Sequence, residues 1–62
     1  MWRVTTSIFG FVFDFSFNYL QECIDELHRQ WAMMGFGNMN WYRIEEFFDG
    51  KWYQRGFQKM DE

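Results

Sequence analysis

Every second residue from Phe9 to Phe17 is phenylalanine: Phe9, Phe11, Phe13, Phe15 and Phe17. A period of two marks an extended strand with one apolar face, so the pattern predicts that all of these rings are buried beneath a covering element. The intervening Ile8, Gly10, Val12, Asp14 and Ser16 become more polar along the chain, as expected of the side nearer water. The β-like pattern begins at Arg3. A single strand from there to Phe17 would run about 50 Å at ~3.3 Å per residue, too long for a small domain. The segment must bend at Gly10, where a bulge is natural, or fold back through Thr5-Thr6-Ser7, and the order of elements is then βαββ or ββαββ.

After Phe17 the period changes. Leu20, Cys23, Ile24, Leu27, Trp31 and Met34 recur at helical spacing, with Glu22, Asp25, Glu26, Arg29 and Gln30 largely opposite. This predicts an amphipathic helix capped by Asn18, with Gln21 three residues on as a weak capping box, and ended by Gly35 or Gly37. Its apolar stripe is the natural cover for the phenylalanine ladder.

From Met39 to Met60 the pattern is that of a hairpin around Asp49-Gly50, a pair suited to a type I′ turn, with Phe48 opposite Lys51 and Glu46 opposite Tyr53. A two-residue loop places Tyr42, Ile44, Phe48, Tyr53 and Phe57 on one face. It places Trp41, Phe47 and Trp52 on the other, with Arg43, Glu45, Gln54 and Gln58. A short helix over residues 40–48, stopped by Gly50, is the competing arrangement. The fold class expected is therefore α+β: an antiparallel sheet of three or four strands with one helix on one face.

Composition narrows the class. The chain has 62 residues, enough for one domain spanning 1–62, and a chain of this size buries only about 60% of its unfolded surface. One cysteine, Cys23, rules out an internal disulfide, and no Cys/His cluster has zinc spacing. The expected location is the cytoplasm, because no secretory segment is visible and the apolar run from Ile8 stops at Asp14. No run approaches the roughly 18–20 apolar residues of a membrane span. With five Met and nine Phe, the composition is that of a natural core rather than an idealised one.

No catalytic constellation emerges, and no cofactor motif is present. Cys23 and His28 stand about 140° apart around a helix of 3.6 residues per turn, too far for a nucleophile and its base. Asp25 with His28 or Arg29 is ordinary helix-surface pairing, and adjacent Glu45 and Glu46 diverge on a strand. The expectation is a non-enzymatic protein-binding module, an inhibitor or regulator of viral or mobile-element type that occludes a partner protein. One helix covers one face of a sheet, so the opposite face offers Trp41, Phe47 and Trp52, with Arg43, Lys51 and Arg55, as partner-binding residues. A homodimer through Phe47 and Trp52 is a related possibility. The last strand, Lys51 to Lys59, mixes cations with aromatics as single-stranded nucleic-acid binders do. The net charge of −3 and the facing Glu45, Glu46 and Asp49 weaken that alternative.

Overall fold

The structure is a computed structural model that describes residues 1–35 and 38–60. It is an α+β fold of order ββαββ: β1 (Trp2–Ile8), β2 (Phe11–Phe17), α1 (Leu20–Met34), β3 (Met39–Phe48) and β4 (Lys51–Lys59). The strands form one sheet in the order β2-β1-β3-β4, and every neighbouring pair is antiparallel. Residues 40–48 are strand, and the competing helix is not formed.

The first β region folds back in the ββαββ order, not through Thr5-Thr6-Ser7 but at Gly10, which turns a hairpin there rather than bulging one strand. The turn is Phe9-Gly10, with φ of 54° and 84°, matching the second hairpin at Asp49-Gly50, with φ of 53° and 80°. Positive φ at both central residues gives the twist that a tight hairpin needs. Glycine adopts it freely, whereas Phe9 does so against its own Cβ. Phe9 therefore leaves the ladder, and its side chain is exposed. Asn40 ties the turn to β3 by accepting hydrogen bonds from the Gly10 N–H (3.0 Å) and the Ser7 hydroxyl (3.3 Å).

β1 lies at the centre, and Val4, Thr5, Thr6, Ser7 and Ile8 are all buried. Alternation puts Val4, Thr6 and Ile8 on the side of α1, where Ile8 packs with Leu27 and Met39 in a small core with Trp31, Tyr42 and Met60 at its margin, and Val4, Thr6 and Cys23 are also buried. The Thr6 hydroxyl donates to Gln30 Oε1 at 2.8 Å, and Gln30 Nε2 donates to Glu26 Oε2 at 3.0 Å. Gln30, expected on the polar side, is thus buried. The helix is rolled so that Cys23, Leu27 and Gln30 face the sheet, while Leu20 and Met34 are exposed.

The ladder fares differently from expectation for the same reason. β1 pairs β2 so that Val4 faces Phe15 and Thr6 faces Phe13, which places the β2 rings on the helix side. β2 is nevertheless the outer strand, and α1 lies across β1 and β2 with an open groove left between the helix and the β2 rings. Phe11, Phe13 and Phe15 remain 69%, 42% and 36% exposed. Capping shifts by one residue: Tyr19 is the N-cap, its N–H donates to the Glu22 carboxylate (3.1 Å), and its carbonyl accepts from the Glu22 N–H. Glu22 at the third helical position does what Gln21 was expected to do. Gly35 ends the helix with its N–H on the Trp31 carbonyl, and Gly37 lies outside the described residues.

Two stability changes follow. Phe9→Asn relieves the left-handed strain at an exposed site, so the urea midpoint should rise, by about 1 kcal/mol in unfolding free energy; a fall would contradict the strain. Gln30→Ala strands the buried Thr6 hydroxyl and should cost about 1–3 kcal/mol. Thr6→Val combined with Gln30→Leu should recover most of that in the same denaturation assay.

Candidate functional site

The face of the sheet turned away from α1 is built from alternate residues of all four strands. The β1–β3 register sets Arg3 opposite Glu45, Thr5 opposite Arg43 and Ser7 opposite Trp41. On β4, Phe47 faces Trp52 and Glu45 faces Gln54, and then the register slips between Ile44 and Glu45. Arg55 is the extra residue of that bulge, because Ile44 pairs with Gly56 and Glu45 with Gln54. Beyond it the side chains exchange faces, so Phe57 joins the open face opposite Arg43. Gln58 goes to the helix side, where its Oε1 accepts from the Tyr42 hydroxyl at 3.2 Å. Both positions are the reverse of the slip-free expectation.

The open face carries a continuous row of rings and cations. Phe47 packs edge-on to Trp52 with centroids 5.2 Å apart, and the Arg3 guanidinium lies 4.1 Å from the Trp52 ring centre. Arg3 Nε donates to Glu45 Oε1 at 2.9 Å, and Arg43 Nε approaches the same oxygen at 3.5 Å. Arg43 in turn lies 5.5 Å from the Trp41 ring centre, and Trp41 packs 5.9 Å from Phe57. Rings attract the guanidinium faces through their quadrupoles, and Glu45 hydrogen-bonds Arg3 and lies within ion-pair range of Arg43, whose Nε makes no hydrogen bond, so the row is packed across the face before any partner arrives.

Four of the six residues singled out from sequence therefore share this surface: Trp41, Phe47, Trp52 and Arg43. Lys51 and Arg55 do not. Lys51 pairs with Phe48 on the other side of the sheet, and Arg55 bonds Glu46 Oε1 at 3.1 Å while its guanidinium lies 5.3 Å from the Tyr53 ring. Arg3 and Phe57 belong to the row and were missed. Arg3 was detectable only through its register with Glu45, and Phe57 only through the bulge.

The remaining chemistry-bearing groups are elsewhere. Cys23 is buried, and burial, followed by the neighbouring Glu22 charge, raises its thiol pKa, which leaves it protonated and unreactive. His28 is exposed and stacks on Trp31 at 5.7 Å. Arg29 pairs with Glu26, and Asp25 accepts from Gln21, so the expected Asp25–Arg29 contact is replaced. Among the described residues, no three His, Cys, Asp or Glu side chains are grouped to hold a metal ion. No described helix is long and apolar enough to cross a membrane.

Compared with family models, curated proteins and solved structures, the chain matches none.

Glu26 supplies a pH test of the polar chain beside the core. Burial raises its carboxyl pKa, but hydrogen bonds from Arg29 and Gln30 and the Arg29 charge outweigh this and hold it below the ordinary value. A folded-state pKa below the unfolded one adds stability above the unfolded glutamate value of about 4.3, and that stability is lost as pH falls through the folded value. Glu26→Gln should therefore lower the urea midpoint at neutral pH and converge with wild type in acid. Parallel curves would remove Glu26 as a contributor.

Proposed function

We propose that this protein is a non-catalytic binding module, a small inhibitor or regulator that occludes a partner protein by docking its open sheet face against it. The observation that supports this reading is the preset row Phe47, Trp52, Arg3, Glu45, Arg43, Trp41 and Phe57 on the face without a covering helix. Tryptophan and arginine dominate binding hot spots because they offer large contact area with polar atoms at low entropic cost once fixed. Here both tryptophans are half-buried and already packed, so docking requires little further ordering.

A second reading, single-stranded nucleic-acid binding, gains one specific point: the bulge brings Phe57 beside Trp41, and Lys59 lies opposite Trp41. Stacked bases and phosphates would suit that corner. It loses the contribution of Lys51 and Arg55, which occupy the other side.

Co-purification from cell extract separates the two. Protein docking predicts a stoichiometric protein species retained at high salt. Trp52→Ala should weaken it by about 2 kcal/mol, roughly thirtyfold in affinity, while Phe48→Ser on the opposite side leaves it intact. Oligonucleotide binding that falls steeply with salt and is lost on replacing Lys59 would instead establish the nucleic-acid reading. Circular dichroism of each variant confirms that the fold persists.

A further inference from the structure

The two edges of the sheet are built differently. β4 carries Lys51, Arg55 and Lys59, and a bulge at Arg55, the devices that stop a strand edge from recruiting another. β2 has none of them. It pairs with β1 in unbroken register from Phe11 to Phe17, and its one charge, Asp14, is turned to the open face and accepts the Thr5 hydroxyl hydrogen bond at 2.7 Å. A two-residue turn makes Ile8 and Phe11 a hydrogen-bonded pair, so alternate residues Phe11, Phe13 and Phe15 direct their backbone groups to β1. The amides and carbonyls of Val12, Asp14 and Ser16 then point away from the sheet along its outer edge.

From this asymmetry we infer that β2 is a dimerisation strand, pairing antiparallel with β2 of a second copy of the chain about a two-fold axis. The strand is self-complementary. With the axis at Phe13, Phe13 faces its own copy, Phe11 faces Phe15 of the copy, and Val12 faces Asp14 of the copy through their free backbone groups. An axis at Asp14 would set two carboxylates directly across from each other. An axis at Phe15 would set Phe11, the most exposed of the three rings, against Tyr19 of the copy, beyond the end of β2 where no strand remains to pair.

The area is of the right order. At about 200 Å² per fully exposed ring, the open fractions of Phe11, Phe13 and Phe15 leave roughly 300 Å² per chain. Exposed Val12 and Met33 add to it. Met33 lines, with Phe13, Phe15, Ile8 and Met34, a groove of about 170 Å³ between β2 and α1. The buried total of both copies thus approaches the ~1,000 Å² at which specific interfaces begin. Because the β4 edge is blunted, pairing closes at two copies and does not propagate into fibres.

Sedimentation equilibrium of the purified chain over a range from nanomolar to high micromolar concentration tests this without any partner. It is therefore independent of the docking surface proposed above. A reversible dimer is expected. Phe13→Lys, which places two cations face to face, should raise its dissociation constant at least about tenfold. Val12→Pro, which removes an outward N–H without touching the core, should do the same, and Phe47→Lys at the far hairpin should leave it unchanged. A wild-type chain that stays monomeric throughout would overturn the inference, as would a dimer that dissociates on Phe47→Lys but survives both β2 variants. Circular dichroism distinguishes lost pairing from lost folding.

Discussion

A single helix must cover a sheet wider than itself, and the rest of the molecule follows from that mismatch. An α-helix with its side chains is about 10–12 Å across, while four strands spaced about 4.8 Å apart present a face nearly twice as wide. α1 sits over β1 and the margins of its neighbours. The core is correspondingly small: Ile8, Leu27 and Met39, with Val4 and Cys23 buried nearby. β1 contributes small side chains because it is enclosed from both sides, by the helix on one and by the long side chains of its neighbours on the other.

Those neighbours show how a surface without a covering element is managed. Thr5 and Ser7 on the open face are buried between Asp14 and Val12 on β2 and Arg43 and Trp41 on β3, their cross-strand partners. The chain covers its own central strand with arginine stems and indole rings, and the guanidinium heads are held by Glu45. β2 has no such cover. Its rings lie on the helix side along an open groove, where Glu26, Arg29 and Gln30 of α1 face them without closing over them, so their apolar area stays open. One side of the sheet is therefore self-sealed and preorganised, while the outer strand is apolar and unsealed.

Much of the architecture could be read from residue spacing, and what could not has specific physical causes. The period of two in β2, the helical stripe from Leu20 to Met34 and the Asp49-Gly50 turn were all legible, because each is a local property of the backbone. Gly10 was legible as a bend, but a tight hairpin turn there was hidden because Phe9 continues the alternation and a phenylalanine at positive φ runs against its own steric preference. The exposure of the ladder was hidden because alternation reports which face a ring occupies, not whether the covering helix closes over that strand. Gln30 read as surface, since its burial depends on one partner, the Thr6 hydroxyl, 24 residues away. In the candidate site, Trp41, Phe47, Trp52 and Arg43 were grouped correctly by parity, while Lys51 and Arg55 were not. Both were grouped for their charge, although parity alone sets Lys51 opposite Phe48 and Arg55 opposite Ile44 on the other face. The bulge at Arg55 instead displaces the residues after it, Phe57 and Gln58, and its one mark in the sequence is Gly56.

Glu45 decides what kind of surface the open face can offer. Two arginines share its carboxylate, one of them over Trp52 and the other beside Trp41, so the cations are already neutralised in part and already oriented. A phosphate backbone seeking Arg3 or Arg43 would have to compete with a carboxylate oxygen 2.9 Å from Arg3 and would meet its negative charge. A protein surface need not break the cluster. It can bury the indole faces and leave the ion pairs at its rim, where hydration is kept and little desolvation cost is incurred. The same carboxylate that joins the row thus turns it from an anion-collecting surface into a nearly neutral aromatic one, which supports the proposal of a protein rather than a nucleic acid as its partner.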